Sequence, residues 1–541
     1  MKLLELFRKE TTTPPYKLAF MAAIAGISNA AVLGIINVAA AQAAQNAYSF
    51  QFVIYFLIAI ALYAAAQTFV MLTTSREVET VLHRVRVRIA DRVLHSDLVT
   101  MEKIGRSEIY ASITKETLTI SNTASFLSIG VQAGILVFFS SIYIAFLSLT
   151  AFIVSAVFVA IAVSIHFRRR KELLQNLHLA TASENKLFDA LTDMLDGFKE
   201  VKINSALGAG LFRSIEHISH ETAEMKIRTQ GEMARHFIFS QLTFLMLLGT
   251  MVFIVPRLSP THGQSVVQLT TSILFLIGPI SSLVSTIPAI AVANTSAENI
   301  YLLEAALAGH ARPREVAGVQ RSGFERIEFD KVRFEYADAS GAPSFVVGPL
   351  DLEIRAHEVL FIVGGNGSGK STFLKLLTAL YQPSSGQIRI DGVALDATNV
   401  GAYRSLFAVI FSDYHLFKRL YGFAEVDRAR IEELLRLMEI ENKTRLADHE
   451  FETLDLSAGQ RKRLALLVSF LEDKPVYVFD EWAADQDPGF RRKFYEQLLL
   501  ELTQRGKTVI AVTHDDKYFG VADRRVKMEE GRFVDADPTA G

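Results

Sequence analysis

A glycine-rich segment between an apolar run and a helix-like run has the residue pattern of a phosphate-binding loop. Residues 359–377 read VLFIVGGNGSGKSTFLKLL and contain the spacing G-x-x-x-x-G-K-S. Glycines let backbone N–H groups converge on phosphate oxygens, and the start of the following helix contributes its dipole. Lys370 is expected to reach the β- and γ-phosphates of ATP, and Ser371 to ligate Mg²⁺ through its hydroxyl. The predicted phosphate-binding residues are Gly364, Asn366, Gly367, Ser368, Gly369, Lys370, Ser371 and Thr372.

Two acidic residues stand at the end of another apolar run further along the chain. The run VYVFDEW, residues 476–482, predicts a buried strand that ends in Asp480 and Glu481. Asp480 suits a water-mediated contact to Mg²⁺, and Glu481 suits a general base that orients the attacking water. A charged pair at a strand end is often only a solvated turn. The phosphate loop upstream favours the catalytic interpretation, in which this part of the chain hydrolyses ATP.

A third segment, DLSAGQRKRLALLVSFL, lies between the other two. Ser457 has the residue type of an N-cap and predicts a helix over 460–472. The N-terminus of such a helix attracts anions because its first N–H groups have no partner within the helix. The alternative is an ordinary capped helix with no ligand.

The order of these three segments resembles that of ATP-binding cassette (ABC) proteins. Residues Leu456, Ser457, Ala458, Gly459 and Gln460 are similar to the LSGGQ signature of that family, with Ala458 in place of one glycine. In the family two cassettes close on two ATP molecules, and each site combines the phosphate loop of one subunit with the signature of the other. One cassette in this chain therefore implies a dimer, most simply a homodimer.

The resemblance assigns roles to further residues. Asp485 and Asp487 stand at the position of the family's D-loop. His514 follows the run TVIAVT and matches the switch histidine that senses the γ-phosphate, so Glu481 and His514 are the predicted catalytic residues. Tyr336 matches the aromatic residue that stacks on adenine, with Phe334 as the alternative.

The segment FSDYHLF, residues 411–417, is similar to the family's Q-loop but places Ser412 where the family has a glutamine. The resemblance implies that Ser412 contacts Mg²⁺ and the attacking water, or that Asp413 takes over this role. The stretch DEWAADQDPGFRRKFY, residues 480–495, also departs from the common DE-x-TSALD form. Together the two strings resemble a bacterial branch of exporters for cyclic peptides, lipopeptides and siderophore precursors.

The composition bounds the rest of the chain. Its 541 residues are 50% hydrophobic and are enough for more than one domain. The formal net charge of −2 provides no positive field for nucleic acid, and the absence of cysteine excludes disulfides and thiol chemistry. The expected fold class is a six-span α-helical membrane domain of ABC exporter type, followed by an α/β P-loop cassette. The candidate spans are 17–43, 51–73, 124–144, 147–166, 237–256 and 266–293.

The distribution of positive charge predicts how these spans are oriented. Lys and Arg are concentrated in 74–120 and 167–236, whereas the loop 44–50 has none and the loop 257–265 has one. Excess positive charge marks the cytoplasmic side, which predicts cytoplasmic termini and two long cytoplasmic helical extensions in a bacterial inner membrane. After the membrane domain, 1–295, we expect a polar linker over 296–322 and the cassette over 323–541.

The polar residues of the spans are mainly amides. An amide in hydrocarbon either pairs neighbouring helices or lines a substrate path, and the sequence favours neither. The predicted spans contain no carboxylate, so nothing in them suggests a proton relay. The amide residues are Asn29, Asn37, Gln42, Gln67, Gln132, Gln241 and Gln268.

These observations predict ATP-driven export of a small cyclic or modified peptide, or a peptide-derived siderophore, by alternating access of a dimer. A lipid or lipid-linked flippase uses the same architecture. In a flippase, Arg84, Arg86, Arg88 or residues 168–170 could hold phosphate, although positive-inside placement also explains these arginines. A non-transporting ATPase that senses a ligand is the third possibility.

Overall fold

The computed structural model describes residues 2–11, 14–43, 49–258, 266–308, 321–337, 343–423 and 427–534. The chain divides into two compact units. The first consists of Met1–Arg92 and Gly105–Ala306, and the second of Val93–Ile104 and Leu307–Gly541. Most residues of the predicted loops 44–50 and 257–265 lie outside the described residues.

The first unit is helical because a chain that crosses a bilayer must satisfy its backbone hydrogen bonds within each segment. In the described residues, five helices are long and apolar enough to cross a membrane: Tyr16–Ala43, Phe50–His95, Glu108–Leu147, Ser205–Ile254 and Val267–Ala308. A shorter apolar stretch, Leu149–Ile161, lies where the fourth span was predicted and begins a helix that continues to Asp196.

The helices of the chain up to residue 308 are numbered in order, and π-helical turns at Ser112–Glu116 and Thr250–Ile254 interrupt two of the long ones. They are α1 (Lys2–Glu10), α2 (Pro15–Ala43), α3 (Phe50–His95), α4 (Leu98–Ile104), α5 (Arg106–Ala111), α6 (Thr117–Leu147), α7 (Leu149–Asp196), α8 (Phe198–Ile203), α9 (Ser205–Gly249), α10 (Val255–Leu258) and α11 (Val266–Ala308).

Short polar residues separate the long helices. Ser148 is extended and ends α6, and its hydroxyl accepts a hydrogen bond from the backbone N–H of Ala151 in α7. Asn204 does the same for α9, where its side chain accepts from the N–H groups of Ala206 and Leu207. Capping of this kind satisfies N–H groups that the first helical turn leaves without a partner.

A cluster of charges joins α1, α3 and α11 in the first unit. The guanidinium of Arg88 forms ion pairs with Glu10 and, at 2.6 Å, with Glu304. Arg92 Nη1 donates to the backbone carbonyl of Glu304 at 2.8 Å. Glu304 is buried, so its charge requires these partners.

Helix α11 extends further than the sequence predicted. Residues 296–308, assigned to the polar linker, continue this helix, and 309–320 lie outside the described residues. Ala297, Ile300, Leu303 and Leu307 are buried at three- and four-residue spacing. Glu and Asn side chains on the other helix faces lower the apolar density here without breaking the helical period, so the first part of the predicted linker is helical.

The second unit contains three β-sheets in its described residues. An antiparallel sheet has the order β2 (Pro343–Arg355), β1 (Arg326–Ala337), β4 (Ser385–Ile390), β5 (Val393–Ala394). A six-stranded sheet has the order β12 (Arg532–Val534), β11 (Arg524–Glu529), β3 (Val359–Val363), β10 (Thr508–Val512), β9 (Val476–Asp480), β6 (Phe407–Ile410). The strands β7 (Leu446–Ala447) and β8 (Glu450–Phe451) pair with each other.

The helices of the second unit connect these strands. Besides α4, they are α12 (Lys370–Leu377), α13 (Val400–Arg404), α14 (Arg428–Leu437), α15 (Ala458–Glu472), α16 (Pro488–Lys493) and α17 (Leu499–Gln504). Helix α15 agrees with the helix predicted over 460–472, apart from two additional residues at its start.

The six-stranded sheet brings the connections after five parallel strands to one edge. Strands β6, β9, β10, β3 and β11 are parallel, with Val512 beside Asp480 and Ile410 beside Phe479 in the register. The carboxyl ends of these strands therefore lie at a common edge, which is where open α/β sheets bind ligands. One core fills the space on the side of the antiparallel sheet, and a second lies on the side of α14 and α15.

Candidate nucleotide site

The phosphate loop joins β3 to α12 at the carboxyl edge of the sheet. Gly364, Gly367 and Gly369 have φ angles of 154°, 77° and 104°, which residues with a side chain rarely adopt. A Cβ atom at Gly364 would clash with the carbonyl oxygen of Met528. Nothing lies within 4 Å of a Cβ placed at Gly367, so the backbone at Gly367 faces open space.

Two buried side chains of this loop are suited to phosphate oxygens. Lys370 Nζ donates to the carbonyl oxygens of Gly364 and Gly365 at 2.9 Å each, which holds the ammonium against the loop. The buried Ser368 Oγ has no hydrogen-bond partner among the described residues. Buried donors of this kind need an acceptor, and a phosphate group supplies several. The described loop therefore fits the triphosphate of ATP, while Asn366 is exposed at its tip.

The three residues predicted to hold Mg²⁺ converge at the carboxyl ends of β6 and β9. Ser371 Oγ donates to Asp480 Oδ2 at 3.1 Å, and the backbone N–H of Ser412 lies 3.5 Å from the same oxygen. Asp480 is buried, and this burial raises the pKa of its carboxyl group although both serines oppose the shift. A carboxylate with two hydroxyls offers the oxygen ligands that Mg²⁺ prefers.

Glu481 and His514 are brought together although 33 residues separate them. His514 Nε2 lies 3.1 Å from Glu481 Oε1, and Lys370 Nζ lies 3.9 Å from that same oxygen. Glu481 has a left-handed backbone with φ of 50°, and its N–H donates to the carbonyl of Val512. The left-handed turn directs the Glu481 side chain away from the strand path and toward the lysine and histidine.

The aromatic residues ahead of the phosphate loop form a cluster on the antiparallel sheet. Tyr336 is half-buried, and its hydroxyl lies 3.1 Å from Thr372 Oγ1. Phe334, the alternative adenine partner, is buried and stacks on Tyr381 with ring centroids 4.6 Å apart. Tyr336 is therefore the ring of this pair with surface left for a base.

The signature segment begins α15 with the predicted cap. Ser457 Oγ accepts from the N–H of Gln460, and the Gln460 side chain accepts from the N–H of Ser457, so the two form a capping box. A Cβ atom at Gly459 would lie 2.8 Å from the carbonyl oxygen of Asp485. Glycine is thus required at Gly459 by close packing, whereas Ala458 accommodates its methyl group at the start of the helix.

The D-loop packs against the signature helix of its own chain. Lys462 Nζ forms an ion pair with Asp485 at 2.8 Å and donates to the carbonyl oxygen of Glu481 at 3.0 Å. Arg463 forms an ion pair with Asp487, which also caps α16. Within the described residues, the hydrogen bonds of the signature lead to itself and to the D-loop, not to the phosphate loop.

Two of these partners were not anticipated from the sequence. Lys462 is buried, and a lysine in an otherwise ordinary helix gives no signal that it will bind the backbone carbonyl of a residue just after a strand. Arg491 in α16 bonds the carbonyls of Ala484 and Gln486 and pairs with Asp515, next to His514. Through these hydrogen bonds and ion pairs, both residues connect the D-loop to the strand ends that carry Glu481 and His514.

Helix α4 belongs to the second unit and reaches the aromatic cluster. Tyr381 donates to Glu102 Oε2 at 2.5 Å, and Lys375 Nζ lies 2.9 Å from Glu102 Oε1. Tyr336 donates to the hydroxyl of Tyr381 at 3.4 Å. Glu102, Tyr381 and Tyr336 thus form one hydrogen-bonded chain that ends at the predicted adenine partner. No local pattern in the sequence indicates a bond across 279 residues.

Comparisons with known proteins agree with this geometry. Residues 347–484 match the family model described as ABC transporter. The chain is 30% identical to the ATP-binding protein SyrD of Pseudomonas syringae pv. syringae over 540 residues, which cover 94% of this chain and 92% of that protein. It is 25% identical to the ATP-dependent lipid A-core flippase of Paraburkholderia xenovorans (strain LB400), covering 84% of this chain and 78% of the relative.

A solved structure shares the fold over nearly the whole chain. It is described as a bacterial Atm1-family ABC exporter with ATP bound, and it superposes with a TM-score of 0.77 at 16% sequence identity. The match covers 98% of this chain and 96% of the solved chain. One chain contains the apolar helices, the phosphate loop and the strand that ends in Asp480, and a relative matches it nearly end to end. This chain therefore belongs to the ABC transporter family as an exporter-type half-transporter.

Proposed function

We propose that this half-transporter acts as a homodimer that exports a peptide-like molecule across the bacterial inner membrane. Hydrolysis of ATP coupled to transport is a property of the family to which the chain belongs. The cargo, the homodimer and the cytoplasmic placement of both termini are the proposed part. The observation that favours a peptide-like cargo over a phosphate-bearing lipid is that three arginines of α3 are engaged in internal contacts.

The three arginines of α3 that a flippase could use for phosphate have partners in their own unit. Arg84 Nη1 donates to the Glu10 carbonyl at 2.6 Å, and both Arg86 Nε and Nη2 donate to Thr117 Oγ1. Arg88 pairs with two carboxylates. The side chains of residues 168–170 lie outside the described part of the chain. Binding a phosphate at α3 would therefore require breaking contacts that hold the unit together.

The predicted spans themselves favour an uncharged cargo surface. Apart from Lys17 at the edge of the first, they contain no Lys or Arg, and apart from His166 at the end of the fourth their polar side chains carry amides and hydroxyls. Amides pair well with peptide groups, because both kinds of group carry N–H donors and a carbonyl acceptor. The resemblance of the Q-loop and D-loop strings to peptide exporters supports the same class of cargo.

We assign the following roles to the residues of the nucleotide site. Lys370 and the phosphate loop hold the β- and γ-phosphates, and Tyr336 stacks on the adenine. Ser371, Asp480 and Ser412 would hold Mg²⁺, which supplies charge neutralisation to the phosphate oxygens when bound. Glu481 accepts the proton of the attacking water, and His514 orients Glu481 through their 3.1 Å contact.

A second copy completes the proposed site. The signature segment of this chain packs on its own D-loop, which leaves the phosphate loop in need of a signature from elsewhere. A homodimer supplies two, one for each ATP. Closure of the cassettes on ATP would then drive the spans from inward to outward facing, and hydrolysis would reset them.

Transport into inverted membrane vesicles tests the proposal. We expect ATP-dependent accumulation of a cyclic lipopeptide that Glu481→Gln vesicles do not show. A lipid A-core flippase is the second candidate, favoured by the name of one relative. ATP-dependent movement of lipid A-core between leaflets, without peptide accumulation, would replace the peptide proposal with that one. ATPase stimulation without movement of either would indicate a ligand sensor.

A further inference from the structure

The amides of the membrane unit fall into two groups by their hydrogen bonds. Asn37 in α2 is buried, and its Nδ2 atom donates to Ser272 Oγ at 3.1 Å and to Tyr143 Oη and the Gln268 carbonyl at 3.4 Å each. It therefore pairs α2 with α6 and α11. An amide whose N–H groups face acceptors on two neighbouring helices holds those helices together.

Gln67 in α3 and Gln132 in α6 have the opposite character. Their atoms Gln67 Oε1 and Gln132 Nε2 are buried and have no hydrogen-bond partner among the described residues. One is an acceptor and the other a donor. A buried amide atom without a partner costs free energy, which a bound molecule with a matching peptide group would recover.

A cavity of about 260 Å³ lies between α3 and α6 on the same faces as these amides. Met71 and Ser128 line it, and they stand four residues, or one helical turn, from Gln67 and Gln132 respectively. Thr74, Ser75 and Ser121 add hydroxyls, and Leu72 and Val78 add apolar surface. On both α3 and α6, the helix face that lines the cavity therefore continues, one turn further along, to the glutamine with the unpaired atom.

Glu79 lines the other end of the cavity. Ser121 donates a hydrogen bond to Glu79 Oε1, which leaves Oε2 available. In the described part of the chain, no Lys or Arg lies within ion-pair distance of Glu79. The cavity thus carries an unneutralised carboxylate at one end and unpaired amides beyond the other.

We propose that this groove between α3 and α6 is a cargo subsite for an amphiphilic peptide that carries a protonated amine. Gln67 Oε1 accepts from a peptide N–H, Gln132 Nε2 donates to a peptide carbonyl, and Glu79 receives the ammonium group. The subsite rests on the proposed export of peptide-like cargo and specifies its chemistry. A phosphate group is disfavoured there because the Glu79 carboxylate repels it.

The test uses two probes and the full-length protein in lipid nanodiscs. The first probe is a fluorescent N-decanoyl cyclic hexapeptide with one lysine, and the second is the same peptide with that lysine acetylated. We expect Gln67→Met and Gln132→Met each to weaken binding of both probes by about tenfold, the effect of one lost hydrogen bond of about 1.4 kcal/mol. Glu79→Gln should weaken only the lysine probe, to the affinity of the acetylated one.

The matched control is Gln241→Met, because Gln241 is an exposed amide of α9. It should bind both probes like the unaltered protein, and all four variants should keep the basal ATP turnover, which reports a folded chain. Gln67→Asn and Gln132→Asn provide second variants, in which the side chain keeps its amide but is shorter by one methylene group. We expect them to lose the same amount of probe affinity.

The outcomes separate the subsite from the proposed function. Uptake of the lysine probe into vesicles, with unaltered affinity in the Gln67, Gln132 and Glu79 variants, overturns the subsite and leaves the export proposal intact. Binding that the variants weaken, without any ATP-dependent uptake, supports the subsite and overturns export. A probe that neither binds nor accumulates overturns both.

Discussion

The cassette and the membrane helices place their polar side chains by different physical means. In the cassette, Asp480 ends one strand of the six-stranded sheet, Ser412 and His514 come just after two others, and Ser371 opens the helix after a fourth, so strand register brings them to a common edge. In the membrane unit, Asn37 and Gln67 are both amides on apolar helices, yet Asn37 Nδ2 has partners on two other helices and Gln67 Oε1 has none among the described residues. Helix packing, which no short motif records, decides that difference.

The comparison shows that the two kinds of site differ in how far apart in the sequence their residues lie. A catalytic strand end is specified by residues close in sequence, because the strand and its loop are local. A cargo site between helices is specified by residues far apart, such as Gln67 and Gln132. The following predictions test the comparison, beginning with the largest expected effect.

Glu481→Gln should lower ATP turnover by at least about a hundredfold while ATP binding persists, because a general base contributes that much or more. The measurements are phosphate release and nucleotide affinity in nanodiscs. Glu496→Gln, on an exposed position of the same domain, is the control and should leave turnover unchanged. Retained turnover in Glu481→Gln would move the base to another residue.

Asn37→Leu should destabilise the membrane unit by about 1–3 kcal/mol, because it leaves the hydroxyls of the buried Ser272 and the half-buried Tyr143 with fewer partners. Gln67→Met should be neutral or stabilising, since it removes a buried amide that has an unpaired atom. Thermal unfolding of both variants in the same detergent checks the pair. Equal loss in both would remove the distinction between paired and unpaired amides.

Ser412→Ala should lower ATP turnover by about tenfold if the Ser412 hydroxyl contributes to the oxygen ligands around Asp480, the effect of about 1.4 kcal/mol. Ser412→Gln, which restores the family's common residue, should change both turnover and its stimulation by cargo. Asp413→Asn tests the alternative residue. If only Asp413→Asn alters turnover, Asp413 performs the role and Ser412 does not.

Tyr381→Phe should raise the KM for ATP by about two- to fivefold, because loss of one hydroxyl releases Tyr336 from its link to Glu102. The value of kcat should change less, since Tyr381 contacts neither phosphate loop carbonyls nor Glu481. Tyr403→Phe is the matched control, because its hydroxyl bonds only the Leu377 carbonyl among the described residues. An equal rise in KM for both would indicate a general effect on the fold.

Much of the cassette could be predicted because its chemistry is local. The positions of Lys370, Asp480 and Ser457 follow from a glycine loop, a strand end and a helix cap, each readable within a few residues. The extent of α11 was missed because polar residues on its exposed faces resembled a linker, although Ile300, Leu303 and Leu307 kept the helical period. The anchors Lys462 and Arg491 were missed because their partners lie on other elements.

The sequence by itself determined that this chain has a helical membrane half and a nucleotide-binding half, because apolar length and short motifs are properties of contiguous residues. Only the tertiary structure decided that Asn37 joins helices while Gln67 and Gln132 keep unpaired atoms, and that Glu102 reaches Tyr381 across 279 residues. The physical reason is that hydrogen-bond partners are set by distance in space, and neither helix nor strand periodicity specifies which distant residue arrives there.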